Sequence, residues 1–116
     1  MASETGYDAL HQIVGPLALK GGANVETLAG NKTLVLGDKN FQKLDPTAAR
    51  DVTLPAEADS DGMWFWIMNN ANGAETITVK NDAAATIVTL PQNEAAIVIC
   101  DGTDWVHMGI ITIQIS

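Results

Sequence analysis

Apolar and polar residues alternate along most of the chain after residue 32, in short runs that are rich in Val, Ile, Leu and Thr. Pro, Gly, Asn and Asp interrupt these runs about every ten residues, which is typical of short strands joined by turns. We therefore predict an all-β protein, with a small antiparallel β-sandwich or barrel over residues 32–116. Three segments, 31–37, 50–55 and 85–91, end in Leu followed by Gly or Pro, which indicates one hairpin design used repeatedly.

One predicted strand, residues 63–69 (MWFWIMN), is apolar on both faces. Side chains alternate along a strand, so Phe65 points to one side of the sheet while Trp64 and Trp66 point to the other. One side should enter the core, and the other should form a subunit interface unless the chain itself covers it. The candidates for that interface are Trp64, Trp66, Met68 and Trp105.

The first 31 residues differ from the rest of the chain. They are rich in glycine and small residues, and Gly15-Pro16 interrupts their apolar patches. Such a segment is too short and broken to supply its own core. We predict an extended N-terminal arm over residues 1–31 that becomes ordered on a partner. Its predicted contact residues are Tyr7, Leu10, Ile13, Val14 and Leu17.

The negative net charge of the chain disfavours partners that are themselves negatively charged. The net charge is −8, and residues 56–116 carry Lys80 as their single basic residue against eight acidic ones. Phosphate backbones and anionic membranes repel such a surface, so neither nucleic acid nor a membrane is an expected partner. Charged residues make up only 17% of the chain, a low share that suits packing against protein surfaces.

No set of side chains in the sequence fills the roles of a catalytic site. The three serines, Ser3, Ser60 and Ser116, lie outside any nucleophile motif. The two histidines, His11 and His107, are far apart in sequence and show no metal-ligand spacing. We therefore predict a protein that is not an enzyme and that needs no cofactor or metal. The single cysteine, Cys100, lies in an apolar run and is expected to be a buried hydrophobic residue.

The acidic segment 57–62 (EADSDG) resembles the first half of a calcium-binding loop, because carboxylates at alternate positions precede a glycine. The position that would need a bidentate Glu is Met68, and the first ligand would be Glu rather than Asp. A solvated turn explains the same residues without a metal. We favour the turn and leave calcium open.

Several sequence blocks together carry a resemblance to a known group of proteins. They are a T-L-x-L segment, the block Q-K-L-D-P…R-D-V-T-L-P-A, the strand end I-M-N, the block N-E-A-A-I-V-x-C-D-G-T-D-W and a closing glycine. Over residues 33–109 this pattern resembles the small decoration, or cement, proteins of tailed-bacteriophage capsids. The resemblance covers about two thirds of the chain and excludes the N-terminal arm.

This resemblance implies a function and a location. Decoration proteins bind the outer surface of the head as trimers, contact the major capsid protein and stabilise the shell against the pressure of packaged DNA. By this resemblance, the expected partners are the major capsid protein and two further copies of this chain, and the arm residues would contact the capsid. The N-terminus lacks the basic and apolar regions of a signal peptide, so synthesis in the bacterial cytoplasm is expected.

A second function is compatible with the same blocks. The C-D-G-T-x-W ending also occurs in other phage structural modules, including fibre and tail proteins. The alternative is therefore a receptor- or glycan-binding knob, in which Trp64, Trp66 or Trp105 would stack on sugar rings. Fibre knobs usually follow a long stalk, and the sequence contains neither heptads nor a collagen repeat.

Overall fold

The computed structural model describes residues 21–113, which form strands, turns and one short 3-10 turn at Glu57–Asp59. The strands within this range are β1 (Ala23–Leu28), β2 (Lys32–Thr33), β3 (Phe41–Pro46), β4 (Arg50–Thr53), β5 (Trp64–Asn69), β6 (Ile77–Lys80), β7 (Thr86–Leu90), β8 (Glu94–Cys100) and β9 (Trp105–Thr112). The prediction of an all-β protein is confirmed.

The strands form two sheets. The five-stranded sheet has the order β1-β3-β5-β8-β9, and the four-stranded sheet has the order β2-β4-β6-β7. From β1 to β6 the chain enters the two sheets in turn, so each strand pairs with the strand two positions away in sequence. After β6 the pattern changes, and the hairpins β6–β7 and β8–β9 complete the two sheets.

The expectation of purely antiparallel pairing is wrong. The pairs β1–β3, β3–β5, β2–β4 and β4–β6 are parallel, whereas β5–β8, β6–β7 and β8–β9 are antiparallel. The repeated Leu-Gly and Leu-Pro endings predict hairpins. A turn after a strand also allows the chain to cross to the other sheet, and the next strand of the first sheet then lies parallel.

The boundary predicted between arm and β domain differs from the structure at β1. This strand lies inside the segment 1–31 that was assigned to the arm, yet it pairs with β3 over six residues and buries Leu28 in the core. Its sequence, ANVETL, carries few apolar residues because it is an edge strand, so its strand pattern is weak. The remainder of the predicted arm, residues 1–20, lies outside the described residues.

The core lies between the two sheets. The burial of β3 and β5 alternates strictly along each strand, with every second side chain pointing inward. Phe65, Ile67 and Leu44 from the five-stranded sheet are fully buried against Val79 and Leu90 from the other sheet. Burying a side chain of this size contributes about 1.5–3 kcal/mol, so this layer is the main source of stability.

Asn69 at the end of β5 joins the two sheets by hydrogen bonds. Its buried Nδ2 donates to the carbonyl oxygens of Glu75 (2.9 Å) and Leu90 (2.8 Å), and its Oδ1 accepts from the N–H of Ala71 (2.9 Å). The side chain is 0% exposed. A polar side chain in the core is stable here because every one of these bonds replaces one to water.

We expect Asn69→Ala to lower the free energy of unfolding by about 3 kcal/mol, because it leaves buried backbone groups without partners. Urea denaturation followed by tryptophan fluorescence measures this change. Asn70→Ala is the matched control, since the Asn70 side chain makes no hydrogen bond among the described residues. Equal stability of the two variants would contradict the role assigned to Asn69.

Candidate interaction surface

The outer faces of the two sheets have opposite character. On the four-stranded sheet the outward positions of neighbouring strands pair Asp51 with Thr78 and Thr78 with Thr89. Lys80 Nζ lies 3.0 Å from Asp51 Oδ2 on the same face. Threonines and paired charges are what a solvated sheet face normally carries.

The outward positions of the five-stranded sheet are mostly apolar. The strand register aligns them in three rows across the sheet. One row contains Trp64, Ile99 and Val106, and the next contains Phe41, Trp66 and Ile97. The third row contains Val25, Lys43, Met68, Ala95 and Ile111. We call this surface the outer apolar face, and it consists of Val25, Phe41, Trp64, Trp66, Met68, Ala95, Ile97, Ile99, Val106 and Ile111.

An aromatic cluster occupies the middle of the outer apolar face. The ring centroids of Phe41 and Trp66 are 4.9 Å apart, and Phe41 meets Trp64 edge to face at 6.4 Å. The indole Nε1 of Trp66 is buried and has no hydrogen-bond partner among the described residues. Buried indole N–H groups normally find a partner, so this donor is an unsatisfied polar atom inside the aromatic cluster.

The outer apolar face extends to the free edge of β9. Val106 is 52% exposed and Ile111 is 50% exposed, and Met108 between them is 67% exposed. Gly109 adopts a φ of +96° at an irregularity in the β8–β9 register, a conformation that favours glycine. A long edge strand with exposed apolar side chains is a typical site of protein association.

The structure brings together three of the four predicted interface residues. Trp64, Trp66 and Met68 lie side by side on the outward positions of β5. Trp105 is a correction, because it is 5% exposed and packs in the core with its ring centroid 6.1 Å from that of Phe65. It pairs with the buried Cys100, so it shares the inward side of the sheet. The predicted arm contacts, Tyr7, Leu10, Ile13, Val14 and Leu17, lie outside the described residues.

Other members of the outer apolar face were not among the predicted interface residues. Ile97 and Ile99 lie on the outward side of β8, opposite to the buried Val98 and Cys100. This strand therefore resembles β5 in being apolar on both sides, and the run AAIVIC was the available signal. Phe41 stands alone between polar residues and gave no such signal.

The D-G-T-D-W block forms a tight turn between β8 and β9. Asp101 Oδ1 accepts hydrogen bonds from the N–H groups of Thr103 (2.9 Å) and Asp104 (2.7 Å). These bonds lower the pKa of the Asp101 carboxyl below its ordinary value. Gly102 has a φ of +92°, and Trp105 Nε1 donates to the carbonyl oxygen of Pro55 at 2.9 Å. The block therefore has a structural role.

The acidic segment 57–62 also forms a compact turn. Ser60 is buried, and its Oγ donates to the carbonyl oxygen of Ala56 at 2.7 Å. Within residues 21–113 no group of three His, Cys, Asp or Glu side chains is placed to hold a metal ion.

Burial raises the pKa of the nearby Cys100 thiol, which keeps it protonated at neutral pH.

A second, smaller apolar surface lies at the ends of β2 and β4. It is an open groove of about 550 Å³ lined by Leu34, Val35, Leu36 and Pro55, with Asp59 and Asp82 at its rim. β2 ends at Thr33, and the following residues Val35 and Leu36 are exposed. This groove has fewer apolar residues than the outer apolar face.

No protein-family model, curated protein or solved structure matches this chain. In the described part of the chain, no helix is long and apolar enough to cross a membrane. The interaction surface therefore has to be interpreted from its own geometry.

We expect Asp101→Asn to lower the melting temperature by a few degrees at pH 7, because the folded state favours the ionised carboxyl. The pKa of that carboxyl is lowered from 3.8, so its stabilisation is present above that pH. It is lost as the pH falls through the folded-state value, and the difference from the parent protein should vanish in strong acid. Thermal unfolding between pH 7 and pH 2 measures this.

Asp104→Asn is the control for this experiment. It removes the same charge from the same turn, but the Asp104 carboxylate accepts no hydrogen bond among the described residues. A loss of stability at Asp101 that does not depend on pH, or one matched by Asp104→Asn, would contradict the assignment.

Proposed function

We propose that this chain is a decoration protein of a tailed bacteriophage, which binds the outer surface of the head as a homotrimer and stabilises the shell. The observation that supports this most is the outer apolar face, whose side chains apart from Ala95 are half-buried or exposed within the described residues. Monomeric proteins rarely expose contiguous apolar surfaces of this extent, and such surfaces normally mark protein interfaces. The sequence resemblance over residues 33–109 adds the capsid as the assembly concerned.

In this proposal the two parts of the chain bind different partners. The β-sandwich joins copies of the chain through its outer apolar face. The apolar residues of the N-terminal segment, Tyr7, Leu10, Ile13, Val14 and Leu17, contact the major capsid protein. A trimer would present three such segments at once, and linking weak contacts in this way raises the overall affinity without any single strong contact.

The charge of the protein is consistent with this role. A net charge of −8 keeps many copies soluble and apart from nucleic acid before the shell is ready to bind them. We propose that the protein acts on the outside of the virion after synthesis in the host cytoplasm. Its role is structural, without catalysis or a cofactor.

One observation favours the alternative of a glycan-binding knob. Phe41, Trp64 and Trp66 form an aromatic cluster on an outward face, and aromatic rings stack on sugars. A glycan array distinguishes the two functions. Binding to a sugar that is lost in a folded Trp64→Ala variant would favour the knob, whereas an array without binding would favour decoration.

We expect the double substitution Leu10→Asp and Leu17→Asp to reduce binding to phage heads by about a hundredfold, because two apolar contacts of about 1.5 kcal/mol each are lost. The measurement is the number of copies bound per expanded head, taken from the phage that encodes the chain and stripped of this protein. Deletion of residues 1–20 should abolish binding.

Thr5→Asp with Gln12→Asp is the matched control. It adds the same charge to the same segment and removes no apolar side chain. Undiminished occupancy of the heads by the leucine variant or by the deletion would overturn the capsid-binding role of the segment.

A further inference from the structure

The outer apolar face carries two charged residues of opposite sign. Lys43 and Asp45 occupy successive outward positions of β3, where Lys43 lies beside Met68 of β5 and Asp45 lies one row further along, beside Thr27 of β1. The outward positions of β1, β5 and β8 add no charge to the three rows. The face is thus neutral, whereas residues 21–113 as a whole carry twelve acidic and five basic side chains.

These two charges have few partners among residues 21–113. The ion pairs among the described residues are Lys32–Glu26 and Lys80–Asp51, and neither involves Lys43. The Asp45 carboxylate accepts one long hydrogen bond, from Asn72 Nδ2 at 3.3 Å. Both groups therefore keep bonding capacity in the direction of the open face.

We infer that the outer apolar faces of three copies of this chain pack against one another around a three-fold axis, and that Lys43 of each copy pairs with Asp45 of the next. The inference rests on the self-association in the proposed function and names its surface and its charge contacts. A surface with one positive and one negative group at different positions is complementary to itself. In a closed ring of copies, every Lys43 then meets an Asp45.

The charge distribution favours this face over the rest of the surface for contact between copies of the chain. Two molecules of net charge −8 repel each other at most orientations, and at the neutral outer apolar face that repulsion is smallest. Burial of the face removes the exposed side chains of Val25, Val106 and Ile111 from water, which supplies the driving force.

The test is the association of the purified full-length protein, measured by light scattering behind size exclusion and by sedimentation. The parent protein should have three times the 12.3 kDa mass of the chain. Lys43→Asp and Asp45→Lys should each raise the dissociation constant about tenfold or more, because like charges then face each other. The double variant Lys43→Asp/Asp45→Lys should restore association, since it exchanges the two charges and keeps the pair.

Two further variants complete the test. Lys80→Asp reverses a charge on the outer face of the four-stranded sheet and should leave association unchanged. Ile99→Lys places a charge in the middle of the outer apolar face and should give a monomer with a native circular dichroism spectrum. That spectrum separates a lost interface from a lost fold.

Three results would overturn the inference. They are a monomeric parent protein at concentrations up to about 1 mM, single charge variants that associate as the parent does, and a double variant that fails to recover. No capsid is present in these measurements. A protein that associates as expected but does not bind heads would therefore contradict the decoration role and leave the self-interface standing.

Discussion

Most of the architecture depends on the alternation of side chains along β5. The strand lies at the centre of the five-stranded sheet, and both of its sides are apolar. One side, with Phe65 and Ile67, can be buried against the four-stranded sheet. The other side faces outward, because residues 21–113 form two layers and no third. Trp64 and Trp66 therefore point outward, because the alternate residues Phe65 and Ile67 fill the core.

Because the chain crosses between the two sheets, neighbouring strands extend the apolar outward side of β5. Because β3 and β5 are parallel neighbours, Phe41 lies beside Trp66 although the two residues are far apart in sequence. The antiparallel neighbour β8 adds Ile97 and Ile99 in the same rows. An apolar face of this width cannot be recognised in any single strand. It arises from register, and register is a property of the folded sheets.

The sequence could predict the fold class and the dual character of β5, since both follow from short-range periodicity. It could not predict that β1 belongs to the sheet, because Val25 and Leu28 are too few to give a pattern. It also could not assign the direction of the strands, because a turn residue does not indicate which sheet the chain enters next. Nor could the sequence predict that Trp105 points into the core. Its side of the sheet is fixed by its pairing with Cys100, which only the folded sheet shows.

The residues behind the sequence resemblance mostly maintain the fold. Asn69 of the I-M-N segment joins the two sheets, and Asp101 and Trp105 of the D-G-T-D-W block hold the β8–β9 turn against the core. Proteins with different partners can share such residues whenever they share these turns. Specificity has to come from positions that the fold leaves free. Lys43 and Asp45 are such positions, because their charges contribute nothing to the core and yet interrupt an otherwise apolar face.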